Sequence, residues 1–308
     1  MTVRTMVDVA GIKMKNPVTT AAGTFGNGEE YARYVNIHDL GALCVKTLTL
    51  EPHHGNPPPR IAETPGGILN AVGLQNPGID YFLEHNLPWL LRHNIPVIVS
   101  IAGSTVEEYA LLAAKLTPDT GIAGVEVNIS CPNVKAGGIA FGSNAEMAAD
   151  VISAVRQNTS LPVIAKLSPN VTDIKSIALS VCGAGADAVS LINTVLGLAI
   201  DPYRRKPVLA NIFGGLSGPA IKPIALRAVW QVYEAVEVPI IGMGGITTAL
   251  DAIEFILAGA TAVAVGTTNF INPRAASEII TGIYNYLQEC HIPDIKNLIG
   301  AAHRQEVV

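Results

Sequence analysis

Strand and helix alternating eight times and closing into a (β/α)8 TIM barrel, with long insertions in the loops after strands, is the fold class that three observations predict. Apolar residues make up 49% of the 308-residue chain while aromatics supply only 5%. Ala, Val, Ile and Leu must therefore fill the interior, the types that suit parallel strands buried on both faces. Eight short apolar segments recur in two patterns that take turns along the chain. Helical spacing fills the gaps between them. A barrel of this length is ordinary, and no linker or low-complexity stretch divides it, so residues 1–308 read as one domain.

The first pattern is entered through proline: NPVTTAAG at 16–23, IPVIVSIAG at 95–103, LPVIAKLSP at 161–169 and VPIIGMGGI at 238–246. A Gly or Ala turn opens the second: GALCVKT from 41, AGVEVNIS from 123, ADAVSLIN from 186 and ATAVAVGT from 260. Each run is short and apolar, largely β-branched, and leaves through Gly, Ser, Asn, Thr or Lys, as a buried strand does. Between them, Ser104 is expected to cap TVEEYALLAAKL, Asn144 to precede AEMAADVISAVRQ, and Thr172 to open DIKSIALSVCG. Pro219 starts AIKPIALRAVWQVYEAV, and Thr247 or Thr248 caps ALDAIEFILAG. A doubly wound open sheet is the alternative, but the alternation of strand types favours closure. Two connections, 48–80 and 194–218, exceed simple turns. Both follow strand ends, where barrels build active sites, so they are expected to cover a ligand.

Composition narrows the partners. Charged residues are 15% of the chain, against about 25% in an average domain, and mean hydropathy is +0.37. Much of the surface is buried or covered, and disorder is excluded. A net charge of -5 with no basic run argues against nucleic acid. No uninterrupted apolar run approaches the ~20 residues of a membrane helix, and MTVRTMVDVAGIKMKNP lacks a signal-peptide apolar region, so a cytoplasmic location without a membrane is expected. The cysteines Cys44, Cys131, Cys182 and Cys290 form no CxxC, and His53 and His54 lack a third ligand at metal spacing, so no metal site is expected. Both histidines read as loop residues.

The strand tips carry the chemistry. GMGG and AVGT, ending at Gly245 and Thr267, sit where barrels commonly hold a phosphate on bare backbone N–H groups. Lys46 and Lys166 each terminate an apolar strand, and two ammonium groups at one mouth imply an anionic ligand. Asn70, Asn128 and Asn193 stand at strand ends or in loops, where amides that donate and accept suit a pyrimidine-like ring. Any one of them alone would read as a turn or cap residue. Cys131 precedes Pro132 and a glycine-containing loop, PNVKAGGIAFGSN, that suits a mobile lid. By residue chemistry Cys131 is as good a nucleophile as a base. Cys44 and Cys182 read as packing residues, and Cys290 carries no evident role.

Taken together, ETPGGILNAVGLQNPG at 63–78, NISCPN at 128–133, IAKLSP at 164–169, INT at 192–194, GGLSGPAIKP at 214–223 and GMGGI at 242–246 resemble the dihydroorotate dehydrogenases almost end to end. The resemblance is closest to the catalytic subunit of the NAD-linked class 1B enzymes. It implies FMN at the barrel mouth and oxidation of dihydroorotate to orotate in pyrimidine biosynthesis. It makes Cys131 the base for the C5 proton and places Lys46, Asn70, Ala71, Val72, Gly73, Leu74, Asn128, Asn193 and Thr194 around substrate. Lys166 would face the flavin ring, with Ala22, Lys46, Thr47, Ser100, Asn128 and Ile192 as further flavin contacts. Gly218, Gly244, Gly245, Gly266 and Thr267 would hold the phosphate. Relatives often carry Ser where this chain has Ala22, so only a backbone contact remains there. A partner subunit with FAD and a [2Fe–2S] cluster is implied, docked on a homodimer within a heterotetramer. Three rivals differ in substrate or acceptor: a dihydropyrimidine dehydrogenase catalytic subunit, a fumarate-linked class 1A enzyme, and a non-redox lyase or isomerase acting on a phosphorylated metabolite.

Overall fold

The computed structural model describes residues 3–130, 132–133 and 139–304. Its barrel strands are β1 (Val18–Thr20), β2 (Leu43–Cys44), β3 (Val97–Ile101), β4 (Gly124–Asn128), β5 (Val163–Lys166), β6 (Ala188–Leu191), β7 (Ile240–Met243) and β8 (Ala262–Val265). All eight fall inside the expected segments. Every residue in them is buried, which is why they read as continuous apolar runs rather than alternating ones. The spatial order is β1-β8-β7-β6-β5-β4-β3-β2, with every pair parallel. Neighbours in sequence are neighbours in space, and only the seam between β1 and β2 is left to close.

Thr20 closes it. Its Oγ1 donates to the Cys44 carbonyl at 3.0 Å and accepts from the Cys44 N–H at 3.0 Å. One hydroxyl thereby replaces two ladder bonds between strands. Nearby, the Gly41 N–H donates to the Val18 carbonyl at 2.9 Å, and the backbones run so close that a Cβ on Gly41 would stand 2.1 Å from the Asn16 carbonyl oxygen. At the other end of the barrel a hairpin, Val7–Val9 with Ile12–Met14, buries Val9, Ile12 and Met14 and lays Ile12 on Gly124 at the start of β4. The mouth opposite this plug is where the strands end.

Six helices follow β3 to β8 in turn: α1 (Val106–Ala114), α2 (Ala145–Asn158), α3 (Ile174–Gly183), α4 (Lys222–Tyr233), α5 (Ala249–Leu257) and α6 (Ala275–Glu289). In α2 the buried positions Ala148, Val151, Ile152 and Val155 repeat every three to four residues, one apolar stripe against the barrel. Asn144 caps α2 as expected, and Pro219 opens a 3-10 turn that leads into α4. Two expected caps move by one residue. Thr105, not Ser104, caps α1, its hydroxyl accepting from the Glu108 N–H while the Glu108 carboxylate accepts from the Ser104 N–H. Asp173, not Thr172, caps α3, because its carboxylate takes the N–H groups of Lys175 and Ser176 and also favours the positive end of the helix.

The two long excursions are ordered in a way the sequence did not announce. Strands Ile61–Thr64 and Gly67–Asn70 come from the first, Val195–Leu198 and Phe213–Ser217 from the second, and they form one four-stranded antiparallel sheet. Phe213–Ser217 is the bridging strand, pairing Gly215 with Asn70 and Leu216 with Leu69. Its glycines are steric: a Cβ on Gly215 would lie 2.0 Å from the Thr194 hydroxyl, and one on Gly214 would lie 2.9 Å from the Asn70 carbonyl.

Replacing Thr20 with Val keeps the shape and leaves the Cys44 N–H and carbonyl without partners, which should lower stability by about 2–4 kcal/mol. Chemical denaturation of Thr20→Val beside Thr20→Ser checks this, with the serine variant staying near wild type.

Candidate active site

A cavity of about 690 Å³ opens at the C-terminal ends of the barrel strands, under the sheet formed by the two excursions. That volume suits a cofactor with substrate. Its lining includes Ala22, Lys46, Thr47, Asn70, Ala71, Val72, Gly73 and Leu74 from the first half of the chain. Asn128 also comes from the first half, and Lys166, Ile192, Asn193, Thr194, Gly218, Gly244, Gly245, Gly266 and Thr267 come from the second. Residues spread over some 245 positions of sequence are thus brought to one wall. Ser100 is not in that wall: it is fully buried behind it, its hydroxyl 3.0 Å from that of Thr47. Cys131 lies outside the described residues.

The floor holds an ion pair. Lys166, at 6% exposure, lies with its Nζ 3.4 Å from Oε1 of Glu126, which is 3% exposed. The Ser190 hydroxyl donates to the other carboxylate oxygen at 2.9 Å, and the Cys44 thiol lies 3.7 Å from Oε1. Burial, followed by the Glu126 charge, pushes the Cys44 thiol well above its usual range, so it is a neutral donor here. The expectation that Cys44 serves packing is thereby extended by a polar contact. Burial alone raises Cys182, to about 11.

Asparagines form one side. Asn193 donates from Nδ2 to Oδ1 of Asn128 at 3.3 Å and to the Ser130 hydroxyl at 2.9 Å, while its own Oδ1 accepts from the Thr194 N–H at 2.8 Å. The Ser130 N–H also donates to Asn128 Oδ1, and Tyr109 fixes the Asn128 carbonyl through its hydroxyl at 2.7 Å. Asn70 donates from Nδ2 to the Gly215 carbonyl at 3.3 Å. Among the described residues these bonds leave Asn70 Oδ1 as an acceptor and Asn128 Nδ2 as a donor for a ligand, held rigidly by their neighbours.

Glycines form another end. Gly218, Gly244 and Gly245 have φ of +106°, +131° and +74°, and a Cβ on Gly245 would lie 2.8 Å from the Gly218 carbonyl. Bare N–H groups in such a turn make an anion cradle. Thr267 donates to the Ser217 hydroxyl at 2.8 Å, tying the last strand end to the excursion sheet. Behind the cradle, Oδ2 of Asp251 accepts from the N–H and hydroxyl of both Thr247 and Thr248, and Oδ1 accepts from Lys222 Nζ at 2.6 Å. The α5 cap is therefore Thr248, in a reciprocal box with Asp251.

Several wall residues escaped sequence reasoning, among them His53, Asn56, Ser130, Asn211 and Ser217. His53, expected as a loop residue, pairs by backbone with Asn76 and borders the cavity. Glu126 left the clearest signal, being the one carboxylate within the eight strands. No group of three or more potential metal ligands occurs among the described residues.

A family model of dihydroorotate dehydrogenase matches residues 4–287. The chain belongs to the dihydroorotate dehydrogenase family. It is 64% identical to the dihydroorotate dehydrogenase B (NAD(+)) catalytic subunit of Desulforudis audaxviator over 99% of each chain. To the proteins of the same description from Desulforamulus reducens and Geotalea uraniireducens it is 62% and 59% identical, over 96% of this chain and 98% and 97% of theirs. In barrels the ligand site lies at the C-terminal ends of the strands, which is where the cavity of this chain opens.

Burial would raise the Asp251 carboxyl, but Lys222, the Thr247 hydroxyl and the two backbone N–H groups outweigh it and hold the carboxyl well below the ordinary range. A depressed carboxyl stabilises the fold above its unfolded value and loses that contribution as pH falls through its folded one. Thermal denaturation should therefore show Asp251→Asn clearly less stable than wild type at pH 6, with the gap narrowing as pH drops below about 4.

Proposed function

We propose that this chain is the FMN-carrying catalytic subunit of an NAD-linked dihydroorotate dehydrogenase, oxidising dihydroorotate to orotate in de novo pyrimidine biosynthesis. The observation that carries the reading is one cavity combining a glycine cradle, a buried ammonium and a wall of fixed amides. FMN fits these residues: Gly218, Gly244 and Gly245 line the cavity in turns too tightly packed for a side chain, since a Cβ there would meet Gly67, Ala225 and the Gly218 carbonyl, so they offer bare backbone to a phosphate, and Lys166 offers positive charge from the floor. Bound FMN supplies the acceptor for the hydride that leaves C6 of the substrate.

In this reading Gly218, Gly244, Gly245, Gly266 and Thr267 hold the phosphate. Lys166 faces the ring, and Ala22, Thr47, Asn128 and Ile192 border it. Ser100 acts from behind, orienting the Thr47 hydroxyl. Lys46 meets both ring and substrate, giving the substrate carboxylate a cation. Asn70 to Leu74, with Asn128, Asn193 and Thr194, match the alternating N–H and C=O groups of the pyrimidine ring. Cys131 takes the C5 proton on its Sγ as thiolate. The excursion sheet excludes water from the reacting face.

Electrons leave through a second subunit that carries FAD and a [2Fe–2S] cluster, docked on a homodimer of this chain. Two things support this: the relatives are described as catalytic subunits, and this sequence has no CxxC for a cluster of its own. A cytoplasmic site of action accords with the three described cysteines being unpaired. Among the described residues no helix is long and apolar enough to cross a membrane.

The purified protein should be yellow and, without oxygen, bleach with dihydroorotate far more than with dihydrouracil. Equal bleaching by both would favour the dihydropyrimidine reading, and a colourless protein the non-redox one. Cys131→Ala should keep its flavin colour and lose most of the bleaching rate, at least about a hundredfold as for loss of a general base. A second assay follows NADH formation: the chain alone should give little, and addition of the partner subunit should restore it. Efficient fumarate reduction without a partner would point instead to the class 1A enzymes.

A further inference from the structure

Beneath the cavity floor the barrel interior departs from the usual filling. Interior layers of such barrels are built by alternate strands and are mostly Val, Ile and Leu. Here β2, β4 and β6 supply Cys44, Glu126 and Ser190, and all three meet at the Glu126 carboxylate. Lys166 reaches that carboxylate from β5 while also lining the cavity above. Stability does not account for the arrangement, because replacing a buried ion pair with well-packed apolar residues is commonly neutral or stabilising. Three donors from three strands do something else: they fix one carboxylate, and with it the height and position of one ammonium.

From this geometry we propose that Glu126 is a positioning residue that holds the Lys166 ammonium at the cavity floor, where it attracts negative charge on the ring of a reduced cofactor. The inference rests on the reading that FMN binds here with its ring over Lys166. Glu126 touches neither cofactor nor substrate and acts through Lys166. Without the carboxylate, a buried ammonium either gives up its proton or withdraws toward solvent. In both cases the floor loses its cation, and reduced FMN loses more than oxidised FMN does.

The test uses FMN-loaded protein and reads the ratio of the dissociation constants for oxidised and reduced FMN. Glu126→Gln should lower the preference for reduced FMN by about tenfold or more, the scale of one hydrogen bond to a charged group. Should that variant fail to fold, Glu126→Asp serves: it keeps the charge but falls one methylene short of Lys166, and an intermediate drop is expected. In a Lys166→Met background, Glu126→Gln should produce no further drop, since the coupling runs through the lysine. An unchanged or increased preference in a folded Glu126 variant overturns the proposal, even if thermal stability falls. So does an equal further drop in the Lys166→Met background. A wild-type chain that binds no FMN would instead sink the underlying reading.

Discussion

The seam at Thr20 is the constraint on which the mouth of this barrel depends. Seven strand pairs are held by regular parallel ladders, each drawing on the backbone alone, and the eighth junction needs a side chain to finish it. A parallel sheet left open there would expose edge groups and let the strand ends drift apart. With the ring closed, the tips of all eight strands are fixed relative to one another. The polar residues that end those strands then converge without having to be near in sequence. Lys46, two residues beyond Cys44, is positioned by that same junction.

Polar groups enter the interior in a graded way. The hairpin at the plugged end buries Val9, Ile12 and Met14, the middle layer carries one buried ion pair, and the open end presents amides and bare glycine backbone to the cavity. This ordering lets charge come close to a ligand while the rest of the core keeps its dense packing. Asp251 has a parallel role on the outside of the cradle: one carboxylate gathers two threonines and a lysine, so that the glycine turn in front of it has few ways to move.

Much of this was legible from the residues. Buried parallel strands announce themselves as short apolar runs, and NPVTTAAG and ATAVAVGT both proved to be such strands, paired with each other across β1 and β8. The strand-end lysines, asparagines and glycines were readable because polar or bare positions stand out against those runs. What escaped depends on contacts between distant segments. The excursions read as long Pro/Gly-rich connections because their strands are short and pair across about 150 residues. Glu126 stands out as a lone carboxylate between Val125 and Val127, but its partners Lys166, Ser190 and Cys44 come from other strands, so its role was not legible in AGVEVNIS alone. Cap positions slipped by one residue because Ser104 and Thr105, or Thr172 and Asp173, offer adjacent oxygens, and only backbone geometry chooses between them.

The sheet shared by the two excursions ties together parts of the chain that would otherwise vary separately. Because Phe213–Ser217 pairs with Gly67–Asn70 in a fixed register, and the side-chain period of a strand is two residues, inserting one residue within either paired strand would turn its inward face outward beyond that point. The paired segments 67–70 and 213–217 thus constrain each other. Grafting one excursion from a relative of different length would bring a mismatched half, whereas exchanging both together would transplant the roof of the cavity as a unit.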